Sequence, residues 1–206
     1  MKHAALLSVL FLSACGGSVV RPVTVTAPVP TPAPLTVVPT VAEKTYQTRD
    51  ADRRALLNDF AALDLTSPYD LPATGTLTYD GHLNAQLGDR ADVIGDLEVE
   101  VDIGREEIRG SASNFVDQSN RNYTGQLDLF NGTFDEDPQL DEYQSRAQIS
   151  GTLMGPSAHA YAVNGQLAGD VLGNSGDAFE GVLSGFVKVD GGGQEAFRGG
   201  AVAVQR

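Results

Sequence analysis

From about residue 75 to the C-terminus, apolar and polar residues alternate with a period of two, which is typical of β-strands that bury one face. The clearest segment is residues 96–103, where Leu97, Val99, Val101 and Ile103 alternate with carboxylates. Eight such segments follow one another, separated by short turns rich in Gly, Asn and Asp. In the last segment, at about residues 196–204, the pattern does not distinguish the two faces.

Eight short strands in succession predict an antiparallel meander. An open meander would leave two unpaired edges, whereas eight strands can close into a barrel whose interior is just filled by side chains. Many Gly residues fall on the apolar face, where a crowded interior requires small residues beside large ones. We therefore predict an all-β fold over residues 70–206, a single eight-stranded antiparallel up-and-down β-barrel.

A membrane-spanning barrel shows a similar alternation, with its apolar face toward lipid. Aromatic residues make up only 7% of this chain and Trp is absent. The sequence therefore has few residues from which to form the aromatic girdles of such barrels. The apolar face is also rich in Gly and Ala, which suits an interior better than a surface against lipid. We expect the apolar face to point into the barrel.

Residues 48–66 show a different pattern. Leu56, Phe60 and Leu63 recur at helical spacing, and Asp50 and Asp52 precede them, where carboxylates favour a helix N-terminus. We predict a short amphipathic helix over about residues 50–63. Its apolar stripe is expected to pack against the barrel, with an open end of the barrel as one position, because its Asp residues disfavour a surface of anionic lipid.

The N-terminus has the layout of a secretory signal peptide over residues 1–14. Lys2 is followed by an apolar run, residues 4–12, that is too short to span a bilayer. The tetrapeptide Leu12-Ser13-Ala14-Cys15 then resembles the lipobox of bacterial lipoproteins, in which the cysteine is lipidated and the chain is cut before it. The resemblance implies lipidation of Cys15 and attachment to a membrane, and Gly16 in place of Asp favours the outer membrane. An ordinary secretory peptide with an incidental Cys is the alternative.

The segment between this cysteine and the helix, residues 15–47, is rich in Pro, Val, Thr and Ala. Such a composition favours an extended, disordered linker over a packed core. Fully extended, the residues before the helix would reach roughly 90 Å. We therefore predict a stalk that holds the barrel away from the lipid headgroups.

The formal net charge of the chain is −13. An acidic body disfavours nucleic acid and anionic membrane surfaces as partners, because both carry negative charge. The membrane is therefore expected as a partner only through the lipid anchor at Cys15.

Side chains that could support catalysis are scattered. His82 and His159 lack a neighbouring nucleophile or acid pattern and are expected to be exposed strand or turn residues. Acidic residues near 135–137 and 141–142 could attract Ca²⁺, but Pro138 interrupts them and the spacing of a known calcium loop is absent, which favours a solvated acidic loop. We predict no catalytic residue, no metal site and no cofactor, and hence a protein that is not an enzyme.

The C-terminal half resembles the β-barrel domain of transferrin-binding protein B and related surface lipoproteins, including the factor H-binding lipoproteins. The resemblance lies in Ile149-Ser150-Gly151-Thr152-Leu153-Met154-Gly155-Pro156-Ser157-Ala158 and in Ala196-Phe197-Arg198-Gly199-Gly200-Ala201, within about residues 74–206. Met154 replaces the usual aromatic residue. The resemblance implies the barrel and a surface lipoprotein, and it carries over no residue that contacts a partner.

Two hypotheses about function follow. In the first, the barrel is a non-catalytic module at the cell surface that binds an extracellular protein or nutrient carrier. In the second, it is a structural component of the envelope that faces the periplasm. A barrel that carries a small ligand in an internal cavity is a further alternative, which a packed interior would disfavour.

Overall fold

The computed structural model describes residues 44–67, 69–137 and 142–206. Cys15, the predicted signal peptide and most of the Pro-rich linker lie outside these residues. Within these ranges, one helix precedes eight strands, and a single 3₁₀ turn, Pro156–Ala158, lies between the fifth and sixth strands. The elements are α1 (Tyr46–Phe60), β1 (Thr76–Leu87), β2 (Ala91–Asp102), β3 (Glu107–Asp117), β4 (Asn122–Asp137), β5 (Glu142–Met154), β6 (Ala160–Leu172), β7 (Ala178–Val189) and β8 (Gln194–Gln205).

The strands form a closed antiparallel barrel in chain order, in which β1 pairs with both β2 and β8. The prediction of an eight-stranded up-and-down barrel is therefore confirmed. Closure gives each strand a hydrogen-bonded neighbour on either side, which removes the exposed edges that an open sheet would present.

The apolar face of each strand points into the barrel, as expected from the alternation. Inward-facing side chains of all eight strands form one continuous cluster. Its largest fully buried members are aromatic, namely Tyr79, Phe115, Phe134, Phe179 and Phe197. In β8, the strand whose faces the pattern left unassigned, Ala201 and Ala203 belong to this cluster, whereas Val202 lies on the outer wall.

Glycines allow β6 and β7 to pass close to one another. Gly165 is opposite Gly185 and Gly169 is opposite Gly181 in the cross-strand register. A methyl group on Gly169 would lie 2.5 Å from the carbonyl oxygen of Glu180 and 2.8 Å from the Phe179 ring. No side chain fits at that distance. The glycines on the inward face therefore allow the wall to curve tightly between β6 and β7.

Each end of the barrel is closed by side chains. At the end where β1 begins, Leu71 from the preceding segment joins the interior cluster. At the other end, the rings of Tyr123 and Tyr161 pack with their centroids 5.6 Å apart. Burial raises the pKa of Tyr123 to about 12, so this phenol remains protonated and neutral under physiological conditions.

The helix begins earlier than predicted and ends earlier. Thr45 caps α1 by accepting a hydrogen bond from the backbone N–H of Thr48, so the first turn starts at Tyr46. Such a cap satisfies a backbone donor that the helix cannot pair internally. The predicted start near Asp50 was wrong because the two carboxylates lie beyond the first turn. Leu63 lies past the C-terminus of the helix and is exposed.

The helix packs on the outer wall of the barrel and not across an open end. It contacts β2, β1 and β8. Phe60 at its C-terminus is buried against Leu172, Ala178 and Val202, which point outward from β6, β7 and β8. This cluster is separate from the barrel interior. This second apolar cluster, which lies between α1 and the outer wall, therefore holds α1 on the outside of the barrel.

The other end of the helix is held by Arg49, which is buried. Its guanidinium donates hydrogen bonds to the carbonyl oxygens of Ile94 (3.4 Å) and Asn114 and lies 3.2 Å from the carboxylate of Asp96. The register of β2 with β3 shifts between Ile94 and Asp96, and Asn114 has a positive φ of 55°. Arg49 thus binds the barrel where the ladder is irregular and its carbonyl groups are accessible.

Candidate binding surface

The residues singled out in the sequence do not come together in one site. Cys15 lies outside the described residues, and so do Pro138 and Asp141 of the predicted acidic loop. The backbone of residues 135–137 belongs to the end of β4 and Glu142 begins β5, so these acidic residues extend the two strands. Within the described part of the chain, no group of three or more His, Cys, Asp or Glu side chains is arranged to hold a metal ion. His159 is exposed, as predicted, and its Nδ1 lies 2.6 Å from the carboxylate of Asp190.

The expectation that His82 is exposed was wrong. It lies on the outer face of β1, but α1 covers it and leaves the residue only 5% exposed. Its Nε2 is 3.9 Å from the Asp52 carboxylate of the helix, and its buried Nδ1 has no hydrogen-bond partner among the described residues. Burial lowers the pKa of His82 below its ordinary value, so a neutral imidazole is favoured. Its position beneath the helix gives it a structural role.

The barrel interior is filled rather than hollow. The five large aromatic residues of the interior have less than 2% of their surface accessible. An internal cavity large enough for a ligand would leave part of these side chains accessible. A ligand of this protein is therefore expected to bind outside the barrel.

The outer wall of β1 to β3 is strongly charged. Its acidic side chains form ion pairs within the wall, where Arg206 binds Asp80 and Glu98 while Arg109 binds Glu100. These pairs are exposed to solvent, so they contribute little to stability. They also occupy the carboxylates of Asp80, Glu98 and Glu100, which are then less available to a cationic ligand.

The outer wall of β4 to β7 differs in character, because it contains a shallow depression whose lining residues carry no charge. We call this depression the amide trough. It has a volume of about 560 Å³ and is lined by Gln148, Asn164, Gly165, Gln166, Ser184, Gly185 and Phe186. A smaller hollow of about 120 Å³ adjoins it and shares Gln148 and Gln166.

Cross-strand register creates the trough from residues far apart in the chain. Gln148 of β5 is opposite Gln166 of β6, which in turn is opposite Ser184 of β7. One step along, Asn164 is opposite Phe186. Between the two rows lie the facing glycines, Gly165 and Gly185, where the backbones of β6 and β7 pass close together. Sequence reasoning missed this site because no local motif marks it.

Exposed apolar side chains border the trough. Val182, the outward residue of β7 that precedes Ser184, is 66% exposed, and Phe186, the outward residue that follows it, is partly exposed. Phe130 of β4 is also partly exposed and lies opposite Gln148. Apolar groups that border a polar depression are typical of surfaces that bind a ligand or partner.

A second groove, of about 600 Å³, runs beside the N-terminus of α1 and is lined in part by Lys44, Arg49 and Asp96. Arg49 and Asp96 already pair with one another there. We therefore assign the candidate site to the amide trough.

The helix within the described ranges lacks the length and apolar character needed to cross a bilayer. No family model matches the sequence, and no curated protein matches it either.

Proposed function

We propose that this protein is a lipid-anchored lipoprotein of the bacterial outer membrane whose barrel is a non-catalytic binding module at the cell surface. Its partner is an extracellular protein or nutrient carrier. The lipobox-like Leu12-Ser13-Ala14-Cys15, the Pro-rich linker and the resemblance to surface lipoproteins support the anchor and the location.

One observation carries the binding role, namely the uncharged lining of the amide trough, bordered by exposed apolar side chains, in a chain of net charge −13. Because the interior is packed, a ligand is expected to bind on the outer wall. The helix leaves Val182 and Phe186 uncovered, and apolar side chains at the centre of a surface patch provide most of the affinity in protein interfaces. The packed interior gives no support to the alternative of a small-ligand carrier.

Site-specific photocrosslinking on intact cells tests this role. A photoreactive amino acid at position 182 or 186 should form an adduct with the partner when cells are incubated in their natural medium. The same amino acid at position 109, which is exposed on the ion-paired wall of β3, serves as the matched control. Adducts at all three positions, or at none, would contradict a binding role for this wall.

Protease treatment of intact cells, followed by immunoblotting for the barrel, tests the location. Loss of the barrel from intact cells is expected for a surface protein. Protection until the outer membrane is broken would instead favour the second hypothesis, a structural lipoprotein that faces the periplasm.

A further inference from the structure

The amide trough presents hydrogen-bonding groups that the protein itself does not use. Among the described residues, the side chains of Asn164, Gln166 and Ser184 have no hydrogen-bond partner, and Gln148 accepts only a long bond of 3.5 Å from Asn131. Each amide offers a donor and an acceptor on adjacent atoms, and a hydroxyl group offers both on one atom. The trough can therefore donate and accept several hydrogen bonds at once.

The trough is also almost without charge. Arg146, in the adjoining hollow, is the one charged residue that lines either depression within the described chain, and the exposed Arg198 of β8 lies opposite Ser184 beside the trough. An anionic ligand would meet only these two arginines, on separate strands, and would be repelled by the acidic body. A cationic ligand would find no free carboxylate in the lining. The electrostatics therefore favour a neutral ligand.

Aromatic rings stand on both sides of the polar groups. Phe186 lines the trough on β7, and Phe130 lies beside Gln148 on β4. Three interstrand spacings separate β4 from β7, or about 14 Å along the wall. Two phenyl rings at this separation, with amides between them, suit an elongated ligand that has both apolar C–H faces and hydroxyl groups.

The closed barrel argues against an extended peptide in this position. Peptides that bind β-sheets usually pair with the backbone of an exposed edge strand. Here β4 to β7 are each hydrogen-bonded on both sides, so only side chains are available to a ligand. Recognition must therefore use side-chain amides, hydroxyls and aromatic rings.

We infer that the amide trough binds a neutral oligosaccharide, with Gln148, Asn164, Gln166 and Ser184 bonded to its hydroxyl groups and Phe186 packed against a sugar ring. The inference rests on the proposed function and deepens it, since it names a neutral glycan carried by the extracellular partner as the group that the outer wall recognises.

Titration of the full-length protein in mild detergent tests this inference. The probes are short neutral oligosaccharides built from glucose, galactose, mannose or N-acetylglucosamine, with a heparin-derived oligosaccharide as the anionic counterpart. We expect saturable binding of at least one neutral probe, little change in affinity with added salt, and no binding of the anionic probe. Absence of binding by every neutral probe, or binding of the anionic probe alone, would overturn the inference.

Variants assign the binding to the trough. Gln166→Ala and Phe186→Ala should each weaken binding at least tenfold. Gln86→Ala is the matched control, because Gln86 is an exposed outward residue of β1 in the same circumferential row, beyond Arg198. All three substitutions are at the surface, so circular dichroism and melting should match the wild type. Equal affinities for all three variants would place the glycan elsewhere and contradict the inference.

The outcomes also separate the inference from the proposed function. If photocrosslinking at positions 182 and 186 captures a partner while every neutral probe fails to bind, the binding role stands and the glycan chemistry is wrong. If both experiments fail, the proposed function fails as well.

Discussion

The guanidinium of Arg49 and the carboxylate of Asp96 lie 3.2 Å apart, yet only the carboxylate reaches solvent. The side chain of Arg49 is 6% exposed and that of Asp96 is 41% exposed. Arg49 is therefore the member whose burial must be compensated, and the carbonyl groups of Ile94 and Asn114 provide the remaining acceptors. The helix is attached to the barrel by this polar contact at one end and by Phe60 at the other.

Replacement of Arg49 by Ala should loosen α1. The substitution removes the hydrogen-bond donor from the backbone carbonyls of Ile94 and Asn114. We therefore expect the free energy of unfolding to fall by about 2 kcal/mol. Urea denaturation would measure the loss, and hydrogen exchange of the α1 amides would locate it. Arg54→Ala is the control, because Arg54 pairs with Asp50 at the surface of the helix and should cost less than about 0.5 kcal/mol. Equal effects of the two substitutions would contradict the assigned role of Arg49.

Attachment of the helix should weaken at acidic pH. Burial, with help from the positive charges of Lys44 and Arg49, lowers the pKa of His82 below 6.5, against the opposing effect of Asp96 and Asp52. The folded state therefore binds a proton less readily than the unfolded chain. Stability is complete above the unfolded pKa and decreases as the pH falls from about 6.5 toward the folded pKa.

Urea denaturation at a series of pH values between 7.5 and 5 would detect this decrease. His82→Gln removes the titrating group while keeping a polar side chain, so its stability should vary less over the same interval. If the wild type and the variant lose stability in parallel, His82 does not cause the pH dependence.

The close approach of β6 and β7 should not tolerate a larger residue at position 169. In Gly169→Ala the new methyl group meets the Glu180 carbonyl and the Phe179 ring, and overpacking of this kind costs about 1–3 kcal/mol. Thermal unfolding would show a lower melting temperature. Gly193→Ala is the control, because a methyl group there meets no atom within 4 Å. A normal melting temperature for Gly169→Ala would mean that the wall can relax.

Replacement of Cys15 by Ser should release the protein from the membrane, if the proposed lipid anchor is correct. Several acyl chains bind far more firmly than one, since each buried CH₂ group contributes about 0.8 kcal/mol. Fractionation should move Cys15→Ser from the membrane to the aqueous fraction, and mass spectrometry should show the loss of the lipid. Ser13→Ala, which keeps a small residue before the cysteine, should remain with the membrane. Membrane association of Cys15→Ser would contradict the anchor.

The alternation of residues was sufficient to predict the barrel, because one face of each strand is buried and strand periodicity records that directly. The alternation did not distinguish the two faces of β8, and the reason is physical. Val202 points outward but is covered by α1, so both faces of the strand there are apolar. His82 was misjudged for the same reason, because a polar outward residue becomes buried when a second layer packs over it. Local sequence does not record which part of the wall the helix will cover.

The amide trough could not be predicted from the sequence, for a different reason. Gln148, Gln166 and Ser184 belong to three strands, and only the pairing register brings them into one row. Each of these residues, taken singly, is an ordinary polar position on a solvated strand face. A site built across strands from single, unremarkable residues becomes visible only when the register is known.

The position of α1 has a consequence for the order in which the domain can assemble. The helix rests on β1 and β8, so it straddles the junction at which these two strands close the barrel. Neither that junction nor the contact of Phe60 with Val202 can form before β8 is in place. Pairing of β8 with β1 therefore also creates the surface on which the helix docks, which couples the attachment of α1 to the closure of the ring.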